Sequence, residues 1–427
     1  MERTCKALAS GVELIVDRTG QFKTGLLSVT LTVPLCEETA TANALIPDVL
    51  YRGSRLHPDI ESLCAATDQL YGASLGPAVR QRGECQCISF LCSFIDDQYA
   101  LDGMAVLEPA AALMGEVLLD PDTEDGIFRC DYVEAERLNL ADRIRSRIND
   151  KREWATFRLL QEMCAGEAYG LDKLGTAEQA ETIENEELWT RYQCLLREAQ
   201  VVFFYSGSAD ALRVETAVRH GFHGLISGRE AQYCCQVVEQ PAGPVREIVE
   251  EMDVVQGKLS MGFRTGGITA ESPQYPALLV MNAIYGGTAH SKLFMNVRER
   301  MSLCYYISSQ LDKLKGIMVV SSGVEFSGFG SAREEILTQL DAIRKGEVTE
   351  EERNAAVRAI VSALISQKDS QGQMEDACVT QYLSTGTFDD VKNLIHAVEE
   401  VTVEEIAAVA KMVCLDTVYC LTGKEAV

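Results

Sequence analysis

The chain has 427 residues, 47% hydrophobic and 24% charged, a globular composition with enough length for two domains. Its 64 acidic residues against 39 basic ones give a formal net charge of −25, which excludes nucleic acid and anionic membranes as expected partners because no basic stripe is available for phosphates. No run approaches the roughly 18–20 apolar residues that span a bilayer, and the start lacks an apolar signal core, so a cytoplasmic location is expected.

In chain order, residues 12–16 read as a strand. Residues 27–33 read as a second, in which Leu27, Val29, Leu31 and Val33 alternate with Ser28, Thr30 and Thr32 as in a half-buried strand. An apolar helical stretch follows and ends near Tyr51. A second helical pattern over 60–70 precedes Gly72-Ala73-Ser74-Leu75-Gly76, which fits the G-x-S-x-G nucleophile elbow. An elbow needs a strand before its serine and a helix after it. Here the order is reversed, and a glycine-rich turn is the better reading. Residues 84–94 alternate as a strand that puts Cys87 and Cys92 on opposite faces. With no secretory signal, the fifteen dispersed cysteines read as reduced thiols. Cys85, Cys87 and Cys92 serve as small apolar filler, with a metal site there as the weaker alternative. Adjacent Cys234 and Cys235 fall in an expected linker.

The later elements repeat the earlier ones. Glu136-Arg137 and Glu352-Arg353, each opening a long helix, lie 216 residues apart, as do Gly207 and Gly423, each closing a strand. Residues 183–188 and 401–406 each start a helix. Strands over 27–33 and 259–263, strands over 88–94 and 317–322, and helices over 105–118 and 332–343 keep the same order. The expected fold class is therefore α/β in the α+β sense: two similar domains, each an antiparallel-rich sheet covered by helices. The expected boundaries are 1–224 and 251–427, joined by a linker over 225–250 that holds Gln240-Pro241-Ala242-Gly243-Pro244.

The segment from Ser291 to Ser308 is the most specific. It resembles the second-domain motif of the M16 (pitrilysin or insulinase-like) peptidases, roughly S-x-L-F-x-x-x-R-E-x-x-x-L-x-Y, with Arg298 and Tyr305 seven residues apart and Gly286-Gly287 before it. The resemblance implies two LuxS/MPP-like metallohydrolase domains, and an Arg and a Tyr that reach the scissile peptide. Chemically, a guanidinium and a phenol can hold a peptide and stabilise a developing oxyanion. The bland alternative is an Arg298–Glu299 pair at a helix end and a Tyr at a strand start.

Active members carry H-x-x-E-H on the first helix, for zinc and its activated water. Leu50-Tyr51-Arg52-Gly53-Ser54 resembles the tail of that motif, which aligns Ala44, Pro47 and Asp48 with the His, Glu and His. None suits zinc hydrolysis, and Pro47 costs about 3 kcal/mol inside a helix. The third ligand position is expected near Asp142. Of the five histidines (His57, His220, His223, His290 and His396), His220 and His223 are the one close pair, and exposed loop positions are expected for them.

Asp68-Gln69-Leu70-Tyr71-Gly72-Ala73-Ser74, with Asn149-Asp150-Lys151 and residues 162–170, resembles a zinc-less branch of the family, the YfmF type. Its relatives are encoded beside a zinc-bearing partner, and its name is associated with elongation factor P modification. The implied function is a non-catalytic subunit of a heterodimeric M16 peptidase. This chain supplies Arg298 and Tyr305 in trans, a zinc-bearing M16 subunit supplies the metal, and a peptide held along a free strand edge near residues 87–94, or its counterpart, is the substrate. No cofactor is expected on this chain, and a homodimer in isolation is compatible with the sequence. The alternative is a peptide- or protein-binding scaffold without a catalytic role.

Overall fold

The computed structural model describes residues 2–227, 240–387 and 391–424. The chain divides into two compact units. One comprises Met1–Ser146, Leu171–Gln236 and Gln371–Thr380; the other comprises Arg147–Gly170, Val237–Ser370 and Gln381–Val427. These are not the contiguous halves expected, because each unit takes one helical segment from the other half of the chain.

The first unit is built on β1 (Glu2–Ala9), β2 (Val12–Arg18), β3 (Thr24–Pro34), β4 (Ser74–Arg82), β5 (Cys85–Ile95) and β8 (Gln200–Gly207), plus a two-residue hairpin, β6 (Thr123–Glu124) with β7 (Ile127–Phe128). Its sheet order is β1-β2-β8-β3-β5-β4, antiparallel except for β2 with β8. Its helices are α1 (Ala40–Leu50), α2 (Ile60–Gln69), α3 (Leu107–Leu119), α4 (Cys130–Ser146), α6 (Ala177–Thr182), α7 (Asn185–Glu198), α8 (Ala211–Gly221) and α9 (His223–Ile226).

The second unit carries β9 (Arg246–Met252), β10 (Gly257–Arg264), β11 (Cys304–Asp312), β12 (Ile317–Val324) and β13 (Cys414–Gly423), in the order β11-β12-β10-β13-β9, with β13 and β9 parallel. Its helices are α5 (Lys151–Met163), α10 (Tyr275–Asn282), α11 (Phe329–Arg344), α12 (Glu350–Ser366), α14 (Val391–Glu400) and α15 (Val403–Met412), with two π-helical stretches, Ala283–Gly287 and Leu293–Arg300. Helix α13 (Gln371–Thr385) gives its first ten residues to the first unit. Strand for strand, β2-β8-β3-β5-β4 matches β9-β13-β10-β12-β11, parallel pair included. The internal repeat is a repeat of topology.

The expected linker is structured at its two ends. Leu225 and Ile226 are buried in the first core, and residues from Arg246 onward form β9. Residues 228–239, and with them Cys234 and Cys235, lie outside the described residues.

The alternation in β3 sends Leu27, Val29, Leu31 and Val33 into a core shared with α1, α3, α7 and α8. Its other face is buried too, contrary to the half-buried expectation: Ser28, Thr30 and Thr32 are fully covered. Residues Gln371–Thr380 account for this. Gln371 Nε2 donates to the carbonyls of Thr24 and Ser206 at 2.9 Å, and Ser28 donates to the fully buried Glu375, which also pairs with Arg80 at 2.9 Å. A polar sheet face thus meets a polar helix, and its groups are hydrogen-bonded as burial requires.

The second unit repeats the device. Leu259, Met261 and Phe263 enter the main core, while Ser260 and Gly262 face α5. Helix α5 starts at Asp150, whose carboxylate accepts the Arg152 and Glu153 amides, and it buries Ala155, Leu159 and Met163, spaced four apart. A Cβ at Gly262 would stand 2.5 Å from Met163 Sδ, so glycine sets the approach of helix to sheet. Glu167, just beyond the helix, accepts from Arg264 Nη2 at 2.5 Å and pairs with Lys315 at 2.6 Å, while Arg264 also reaches Asp416 at 3.3 Å. All four side chains are nearly or fully buried.

The strand edges differ from expectation. Strand β5, with residues 87–94, is interior between β3 and β4, and its counterpart β12 is interior as well. The corresponding free edges belong to β4 and β11. Pro77 lies within β4, where an edge position loses no ladder bond but presents no donor.

Candidate functional site

Helix α1 persists through Pro47 with only Asp48 incompletely buried, so the first-domain motif keeps its helical scaffold. Ala44 is fully buried and offers a methyl group; Pro47 offers no donor atom. Asp48 accepts a hydrogen bond from Arg143 Nη2 at 2.9 Å. Burial pushes the Asp48 carboxyl above its ordinary range, and the Arg143 charge opposes the rise. Asp142 is exposed; the residue of α4 that reaches α1 is Arg143. Arg143 follows Glu136 by seven, two helical turns along one face, and that spacing was readable in the sequence. A zinc ion finds no donor at Ala44 or Pro47, and a guanidinium already holds Asp48, so this set does not fit the metal. Among the described residues, no group of three or more His, Cys, Asp or Glu side chains is placed to hold a metal ion.

Both side chains of the Asp48–Arg143 pair are partly solvated, which limits its worth. Arg143→Ala should cost about 1 kcal/mol in urea unfolding; a loss above about 3 kcal/mol would show that the pair is far better shielded than described.

The tail that follows is structural. Arg52 pairs with Glu136, and Ser54 and His57 Nδ1 both bind Glu116, the latter at 2.9 Å. A Cβ at Gly53 would lie 2.5 Å from the Pro58 carbonyl oxygen, so only glycine permits this turn. His220 and His223 are exposed as expected, at the end of α8 and the start of α9. Cys87 and Cys92 are buried on opposite faces of β5, Cys92 in the apolar core and Cys87 against Thr32. Ser74 begins an edge strand after a helix, which removes the hydrolase elbow.

In the second unit Leu293 and Val297 anchor the π-helical turn in the core, leaving Arg298 outside. The Arg298 guanidinium lies 4.6 Å from the Phe294 ring centroid and 3.6 Å from Glu299. The bland Arg298–Glu299 pair therefore exists, but it is long and exposed. Ser302 adopts φ +51°, a left-handed conformation costly for a residue with a Cβ, as the chain turns from helix into β11. Cys304 pairs with Val324 and Tyr306 with Gly323, so Tyr305 is the extra residue of a β-bulge. The bulge turns its side chain outward, to 77% exposure. Arg298 is close enough that its charge opposes the rise that burial imposes on the Cys304 thiol, pushed up to about 11. Arg298, at the end of the π-helical stretch, and Tyr305, at the start of β11, thus flank one turn with both side chains reaching solvent. Gly286 packs against this strand: a Cβ there would meet Ser309 Oγ at 2.7 Å. Sequence reading had no signal for the bulge or for the strained Ser302.

Residues 182–360 match the family described as Peptidase M16 inactive domain. The chain is 31% identical over 426 residues, 98% of each chain, to the probable inactive metalloprotease YmfF of Bacillus subtilis (strain 168). The chain belongs to the M16 peptidase family. The branch symbol is YmfF, correcting the YfmF of the sequence reading. This M16 chain is also 25% identical over 306 residues to an uncharacterized zinc protease of Mycobacterium tuberculosis (strain CDC 1551 / Oshkosh), covering 71% of this chain and 68% of that one. Among solved structures it is similar to a conserved protein from Enterococcus faecalis V583, with TM-score 0.91 and 28% identity over 99% of both chains. A Pseudomonas fluorescens peptidase M16 inactive domain, at 17% identity and TM-score 0.78, shares the fold.

Proposed function

We propose that this chain is the non-catalytic subunit of a heterodimeric M16 peptidase, holding peptide and stabilising the oxyanion through Arg298 and Tyr305 while a zinc-bearing M16 partner supplies the metal and the attacking water. The observation that carries this reading is an asymmetry: Ala44 and Pro47 offer no donor and Asp48 is paired with Arg143, whereas a bulge and a strained turn still present Arg298 and Tyr305 to solvent. A packing remnant would not need Tyr305 at 77% exposure. The family match and the inactive relative support the non-catalytic part; the partner, the peptide substrate and a cytoplasmic site of action are inferred. The association with elongation factor P rests on the branch name, and no residue described above recognises that protein.

The scaffold reading draws on one observation: the Arg298–Glu299 pair gives the arginine a role without substrate. Size-exclusion chromatography of this chain mixed with the zinc-bearing M16 protein of the same genome separates the two. A stable one-to-one complex is expected; two separate peaks would count against the subunit reading.

A further inference from the structure

Across the second unit's sheet, Tyr306 on β11, Gly323 on β12 and Lys258 on β10 stand in one register row. A Cβ at Gly323 would lie 2.6 Å from Tyr306 Cε1, so the missing side chain lets the ring lie over β12, 5.6 Å from Lys258 Nζ. From α5, the Arg152 guanidinium reaches the same ring at 4.5 Å and donates from Nη2 to Ser308 Oγ at 3.4 Å. Two cations on one ring repel each other. Lys258 is held below its ordinary pKa by burial and then by Arg152, with Asp150 opposing. Among the described residues neither cation forms an ion pair. Lys258 binds the Gln256 side chain, and Asp150 is engaged with the amides that start α5. In a chain with 64 acidic residues, two neighbouring cations that share the influence of one carboxylate, Asp150, and form no direct ion pair keep a net positive charge that an outside anion can meet.

The neighbouring edge specifies what carries that anion. Strand β11 pairs with β12 alone and contains no proline, so one side of its backbone offers donors and acceptors to an added strand. β4, by contrast, contains Pro77. On an added strand, alternate residues share one face, and those opposite Tyr306 and Ser308 lie on the sheet face that carries Arg152 and Lys258. We propose that the free edge of β11 receives an extended peptide carrying acidic side chains at alternate positions, recognised by Arg152 and Lys258 across Tyr306. This deepens the peptide-holding reading above and rests on it.

The test uses a fluorescein-labelled ten-residue peptide of Thr, Val and Ser with glutamate at two alternate positions, and its twin with glutamine there, titrated against the full chain by fluorescence anisotropy. The glutamate peptide should bind about tenfold more tightly at low salt, from two exposed charge pairs of up to about fivefold each, and the margin should shrink in high salt. An Arg152→Ala/Lys258→Ala chain should lose the margin while binding the glutamine peptide as before. An Arg152→Glu/Lys258→Glu chain with an unchanged circular dichroism spectrum should come to favour a lysine-bearing twin. Equal binding of the glutamate and glutamine peptides, or binding of neither, overturns the proposal. Arg298 and Tyr305 are judged separately, by turnover in the partner complex.

Discussion

Glu167→Ala should destabilise the second unit by about 3–5 kcal/mol, the usual cost of removing one member of a buried ion pair. The carboxylate is held by Arg264 at 2.5 Å and Lys315 at 2.6 Å, and the exposure of the three side chains is 3%, 7% and 0%. Deleting it removes the carboxylate that both cations share in a site that water barely reaches, although Arg264 keeps Asp416 at 3.3 Å. The loss should appear in the unfolding of the second unit, which the protein can report by itself. Of its two tryptophans, Trp154 lies on α5 and Trp189 on α7. In a Trp189→Phe background, urea unfolding followed by Trp154 fluorescence reads the unit that contains Glu167. A shift worth less than about 1 kcal/mol would contradict the network's role.

The same group gives a signed pH effect. Burial alone would raise the Glu167 pKa, but hydrogen bonds from Arg264 and Lys315 more than offset it, and the folded value lies below the ordinary 4.5. Its stabilisation is therefore complete above 4.5 and is lost as pH falls through the folded value. Glu167→Gln should flatten that acid limb of the stability curve.

The largest functional effect is expected at Arg298. In the complex with a zinc-bearing partner, Arg298→Ala should lower kcat about 10²–10³-fold, the range for losing one preorganised donor to an oxyanion. Tyr305→Phe, which removes only the phenol O–H, should lie at the lower end. The fold should be untouched, since Arg298 stacks on Phe294 beside a solvent-exposed Glu299, and Tyr305 projects from a bulge. The steady-state constants then discriminate. A fall in kcat means the groups act in the transition state, and a rise in KM alone means they hold peptide without stabilising the oxyanion. Unchanged values in both variants would remove the catalytic part of the proposal.

How much of this was legible beforehand depended on range. Strand and helix periodicities and the 216-residue repeat carried the fold, and the resemblance of Ser291–Ser308 and Leu50–Ser54 to the family motifs carried the family. The alternation of Ser28, Thr30 and Thr32 was read as a face turned to solvent, because nothing near them in sequence shows that residues some 345 positions later cover it. A shorter separation, 97 residues between Glu167 and Arg264, hid α5 on the β10 face in the same way. The Arg143–Asp48 pair leaves no mark for a different reason: a search for metal-ligand chemistry passes over a cation. The exposed Tyr305 rests on a bulge and on one left-handed serine, and neither leaves a mark in composition or spacing.

The most direct measurement is peptide hydrolysis by this chain alone, by the zinc-bearing M16 protein of the same genome alone, and by the two together at equal concentration, with one unfolded peptide as substrate. The account predicts cleavage by the mixture only, abolished by a chelator. Cleavage by this chain alone, or a rate for the partner that this chain does not change, would contradict it.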